Sequence, residues 1–150
     1  MLVLRNHFTT RIEQMPYEIY PGPREDIVVL KYTGQLTHDD MMINEPLGLH
    51  LGPRYILLDA SELDASLPEG YFESSSQSFF VHPNMQFMAF YVKSQVLRTA
   101  GIMVSHLSRQ THKVTIHQSY EKAMEALVKV AEEQNPTAPA TLIDESDSTE

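Results

Sequence analysis

The chain contains no cysteine. That excludes disulfides, thiolate nucleophiles, iron–sulfur clusters and Cys-ligated zinc, and it leaves the redox compartment open. Glycine is sparse, at six of 150 residues, and none of it forms a P-loop or a dinucleotide-binding turn, so no phosphate cradle is expected. No apolar run approaches the ~20 residues that cross a bilayer. The start, MLVLRNHFTTR, turns polar too soon for a secretory signal. These absences point to a cytoplasmic protein without a membrane span.

Basic residues are also few. Eleven Lys and Arg stand against 20 Asp and Glu, for a net charge of −9. Asp144, Glu145, Asp147 and Glu150 supply four of those charges in a tail without a cation. Lys and Arg form no run or stripe, so a phosphate backbone would be repelled and nucleic acid is not an expected partner.

What is present is ordinary globular composition, 42% hydrophobic and 21% charged, in a length that suits one domain. Alternating apolar residues predict strands at 17–20 and 27–32, with Pro21-Gly22-Pro23 as the turn between them. Residues 1–15 fit either an extra strand or a short helix. Thr37 and Asp40 have capping-box spacing and predict a short helix interrupted at Pro46 and Gly48. The apolar run Tyr55–Leu58 reads as a central strand covered on both faces. Ser66 and Glu69 form a second capping box, with Pro68 in the first turn, and predict a helix carrying Phe72, Phe79 and Phe80 up to His82-Pro83.

Phe87–Val92 is the next buried strand. Ser94 caps a helix to about Arg109 whose inward face is Leu97, Ala100, Met103, Val104 and Leu107. Lys113–His117 reads as a peripheral strand. Ser119 caps a last helix with the stripe Tyr120, Met124, Leu127, Val128 and Ala131. The order is β-β-α-β-α-β-α-β-α, an α/β fold with a mixed sheet of four to five strands covered by helices and right-handed parallel crossovers. Residues 1–134 form the domain, and 135–150, rich in Pro, Ser, Thr and acid, read as a disordered acidic tail.

This order and three segments resemble the STAS superfamily, the SpoIIAA-like fold of bacterial anti-sigma-factor antagonists. The segments are YTGQLT (Tyr32–Thr37), YILLDASEL (Tyr55–Leu63) and SYEKAMEAL (Ser119–Leu127). The resemblance spans roughly residues 17–133 and implies a non-catalytic regulatory module in bacterial signalling that binds a protein partner. In the antagonist branch a phosphorylatable serine opens the helix after the Asp-x-Ser strand. The matching stretch here is Pro68-Glu69-Gly70, so Glu69 stands in place of the phosphoacceptor. Either the domain is unswitched or a fixed carboxylate at the helix N-terminus stands in for phosphate; as a capping-box residue, Glu69 also has a purely structural reading. A sister branch without the serine is loosely similar to lipid-binding domains, which keeps ligand binding open.

Candidate residues follow from that frame. Partner binding is assigned to Ser61, Glu62, Asp64, Glu69 and Tyr71, around the loop after the central strand. Lys93, Ser94 and Arg98 lie at a strand end beside a helix N-terminus and could hold an anion. An apolar small-molecule or lipid pocket is the alternative, lined by Phe72, Phe79, Phe80, Met85 and Met103. Asp59, Glu62, Asp64 and Glu69 cluster without a catalytic motif, and Ser74-Ser75-Ser76 lacks a nucleophile elbow. His106, His112 and His117 fall on three different elements. No catalytic residue, metal or cofactor is expected. Homodimerisation through the peripheral strand or a helix face stays open.

Overall fold

The computed structural model describes residues 17–141. Five strands form one sheet in sequence order: β1 Tyr17–Pro21, β2 Ile27–Gly34, β3 Arg54–Leu63, β4 Met85–Tyr91 and β5 Val114–His117. β1 and β2 pair antiparallel, and each later neighbour is parallel. The first turn closes through Gly22, whose N–H donates to the Ile27 carbonyl at 2.9 Å. A Cβ on Gly22 would sit 2.3 Å from Ile27 Cγ2, so no larger residue fits there.

Three helices complete the fold: α1 Tyr71–Ser75, α2 Gln95–Leu107 and α3 Tyr120–Gln134. Ser94 and Ser119 cap α2 and α3 as their spacing predicts, each hydroxyl accepting a backbone N–H three residues on. One sheet face, with Leu30, Tyr32, Ile56, Met88 and Phe90, packs under α1, α2 and the irregular segment 35–52. The other, with Ile27, Val29, Tyr55, Leu57 and Ala89, packs against Ala123, Leu127 and Ala131 of α3. Strands buried on both faces carry continuous apolar runs, which is why β2, β3 and β4 were legible. None of these helices is long and apolar enough to cross a membrane.

Two expected helices are different. The Thr37–Asp40 box forms, with Thr37 N–H and Oγ1 donating to Asp40 Oδ2 at 2.9 and 2.8 Å. It supports only a three-residue 3-10 turn, Asp39–Met41, because Pro46 and the left-handed Gly48 (φ 77°) allow no continuation. The Ser66–Glu69 box does not form. Leu67 precedes a proline, which disfavours helical backbone there, and Gly70 adopts φ 76°, so α1 begins at Tyr71. It ends after five residues, and a separate 3-10 turn, Phe79–Val81, is capped by Ser78. On α2, Leu97, Ala100 and Val104 are buried, whereas Met103 and Leu107 are 46% and 67% exposed.

Residues 135–141, expected to belong to the tail, are among those described. Glu25 N–H donates to Pro139 O at 3.0 Å and Thr141 N–H to Pro23 O at 3.1 Å, and Ala140 bridges Arg24, so 135–141 run beside the β1–β2 turn. The remaining acidic stretch, and residues 1–15 with their expected strand or helix, lie outside the described residues.

Candidate functional site

The carboxyl end of β3 is built around a bulge. Lys31 pairs with Asp59 and Thr33 with Glu62, so one residue of β2 faces two of β3. The Asp59 carboxylate accepts both the N–H and the hydroxyl of Ser61, at 3.0 and 2.7 Å. Ser61 is thereby committed to its own strand. Beyond the bulge, Glu62 projects outward and pairs with Lys31 at 3.1 Å; the hydrogen bond to Glu62 raises the Lys31 pKa. Asp64 is exposed, with its N–H tied to Gly34 O at 2.7 Å. Glu69 is exposed and has no hydrogen-bond or ion-pair partner among the described residues.

Tyr71 departs from this outward set. It is half-buried, burial raises the pKa of its phenol, and its ring lines an apolar cavity of about 70 Å³ between the sheet and the layer above it. That volume is several times the ~10–15 Å³ a single water needs. Leu63, Met88 and Phe90 come from the sheet, Leu67 from the loop after β3, Phe79 and Phe80 from the 3-10 turn, and Leu97 and Val104 from α2. Of the expected pocket residues, Phe79 and Phe80 line it. Phe72 and Met103 lie at the surface, and Met85 is buried away from it. The shift follows from the broken helix: a continuous helix would have placed Phe72 and Phe79 on one face, and two short pieces do not.

The polar part of the lining is small. Tyr32 donates its hydroxyl to the Asp40 carbonyl at 2.6 Å, and its burial raises its pKa. Ser78 Oγ donates to Ser75 O and accepts from Phe80 N–H. Among the described residues no Lys, Arg, Asp or Glu lines the cavity, so its chemistry suits an uncharged apolar molecule.

Sequence reasoning missed one link here. His38 Nδ1 lies 2.7 Å from Ser74 Oγ and ties the loop after β2 to α1 across 36 residues of chain. No motif announces it, because the two residues meet only when both segments pack over the same end of the sheet. Among the described residues no carboxylate hydrogen-bonds to His38, and Ser74 is 8% exposed, so the pair is a tether between two covering segments.

At the next strand end, Ser94 Oγ is occupied by the Leu97 N–H at 3.2 Å. Lys93 is exposed and Arg98 half-buried beside it, neither with an ion-pair partner among the described residues. No three His, Asp or Glu side chains converge to hold a metal among the described residues. His117 Nε2 is instead 2.8 Å from Thr115 Oγ1.

The chain matches no protein-family model and no curated protein sequence. Its fold has a solved counterpart, an uncharacterized protein of the DUF3478 family with a SpoIIAA-like fold from Shewanella loihica PV-4. The two align with a TM-score of 0.53 and 18% identity, over 74% of this chain and 94% of that one. The fold is therefore SpoIIAA-like, with the mixed five-stranded sheet and helical cover that the three sequence segments imply.

Proposed function

We propose that the protein is a non-catalytic regulatory module of bacterial signalling that binds a protein partner through the carboxyl end of β3 and the loop leading to α1. The observation that carries this reading is the exposed acidic rim on a SpoIIAA-like fold: Asp64 and Glu69 are exposed, and Glu62 holds only a surface pair with Lys31. Exposed like charges on one loop steer association and select a basic partner surface. Ser61, held by Asp59, shapes the rim from beneath, and Tyr71 supports it from inside. Cross-linking in a cell extract tests this with the natural chain and a Glu62→Lys, Glu69→Lys variant. A partner retained by the first and lost by the second supports the rim; a partner retained equally by both sinks it.

The cavity favours a second reading, a carrier of a small uncharged apolar molecule seated under the same loop. Native mass spectrometry of gently purified protein discriminates the two. A bound species released on denaturation supports the carrier, and a bare mass leaves the rim as the working surface.

A further inference from the structure

The segment that contains α2 has the opposite electrostatic character. Between Glu73 and Glu121 the sequence has no acidic residue, although the chain as a whole carries −9. Lys93, Arg98, Arg109 and Lys113 all fall in that interval, as does the whole of α2. No exposed position of α2 is acidic, and the titratable side chains on the helix are half-buried Arg98 and exposed His106, both basic. Val96, Met103 and Leu107 are 56%, 46% and 67% exposed. At about 100° per residue these three lie within roughly 20° of Val96 on the helix circumference, and they extend about 16 Å along it. The result is a narrow apolar seam, with exposed Lys93 just before the helix and exposed Arg109 just after it.

We propose that this seam of α2 docks an acidic amphipathic helix of a partner protein. A seam this narrow matches the width of one facing helix, packed along rows seven and four residues apart. A bilayer would instead call for a broad apolar face. Charge selects the partner: Lys93 and Arg109 bracket the seam, and acid on the visiting helix would meet both ends. The same bracket disfavours a second copy of this chain, because a symmetric pairing of two such faces would set these cations against each other. The seam shares no residue with the acidic rim after β3, so one module would present an acidic and a basic contact to different partners.

The test titrates the full isotope-labelled chain with a synthetic three-heptad helix carrying Leu at its core positions and Glu along its flanks. A sister peptide carries Lys on the flanks. Amide shifts are expected along residues 94–109. Leu107→Glu, an exposed change that leaves the core intact, should weaken binding about tenfold, Arg109→Glu should weaken it measurably, and the Lys-flanked peptide should bind at least tenfold more weakly. Equal binding of both peptides, or shifts confined to α3 or the cavity, would overturn the proposal. So would binding to anionic phosphatidylglycerol vesicles without binding to the Glu peptide, or a homodimer that Leu107→Glu dissolves.

Discussion

The Asp59 carboxylate holds Ser61 by two hydrogen bonds, to its N–H at 3.0 Å and its hydroxyl at 2.7 Å, where β3 bulges against β2. Asp59 is only 7% exposed, and a bulge leaves an extra residue without its ladder partner. The side chain supplies what the neighbouring strand does not, in the way short polar side chains satisfy local backbone. The Asp-x-Ser signature is therefore a strand-shaping device that turns Glu62 outward.

Asp59→Ala should cost about 2 kcal/mol, since it removes two charge-assisted hydrogen bonds and leaves a partly buried N–H unmet. Ser61→Ala should cost about 1 kcal/mol, because only the hydroxyl bond is lost. Urea unfolding of both variants and of the double variant checks the pair. The double variant should cost clearly less than the sum, since the hydroxyl bond is counted in both. Strict additivity would mean that the contact is not energetically real.

Much of this fold was legible because β2, β3 and β4 are buried on both faces and its two long helices open on capping serines. Ser94 and Ser119 work at distances of three residues, which a sequence displays directly. The segment 64–81 was misread for the same reason. Ser66 and Glu69 have the spacing of a cap, but the Leu67-Pro68 pair and the left-handed Gly70 override it. The site followed that error. Tyr71 was expected on the outer surface and lines the cavity, whereas Glu62 at the end of β3 and Asp64 and Glu69 on the loop after it are exposed. The His38–Ser74 tether and the Arg24–Asn135 contact depend on distant segments meeting, which no local pattern encodes.

Gly101 decides how closely α2 approaches the sheet. A Cβ there would lie 2.5 Å from Phe90 Cε2, and both residues line the cavity. Gly101→Ala gains about 1 kcal/mol of helix propensity and loses about 1–3 kcal/mol to overpacking. The free space lets the Phe90 ring yield inward, so the net change should be a loss of no more than about 2 kcal/mol. The cavity should shrink at the same time. Xenon binding, followed by chemical shift, should fall sharply in this variant while thermal unfolding moves only a few degrees. Unchanged xenon binding would show that the ring yields elsewhere.

His117 gives stability a pH dependence. Burial lowers its pKa below the usual 6.5, and its ring contacts Thr115 on the edge strand β5. A lowered folded-state value means that the unfolded chain binds the proton more readily. The contribution is therefore intact above pH 6.5 and is lost as pH falls through that value towards the folded-state pKa. His117→Gln should flatten the decline in unfolding free energy between pH 7 and about 5 relative to the natural chain. Parallel slopes for the two proteins would remove His117 as the cause.

Arg24 and Asp26 form a buried pair at 3.0 Å, with side chains 10% and 8% exposed. The pair also binds the end of α3: Arg24 donates to the Asn135 carbonyl, and Asn135 Nδ2 donates to Asp26 Oδ2 at 3.0 Å. The Asp26 hydrogen bond raises the Arg24 pKa, so the guanidinium stays charged and suffers most when its partner is removed. Asp26→Ala should cost about 3 kcal/mol, because a poorly hydrated cation is left unpaired. Replacing both, as Arg24→Met with Asp26→Leu, should cost much less, since no charge is stranded. Asn135→Ala should leave the sheet intact and speed hydrogen exchange at Glu25 and Thr141, whose N–H groups are held by the β1–β2 turn and residues 139–141. If the double replacement proves as costly as Asp26→Ala, the cluster acts through packing shape, and its charge is incidental.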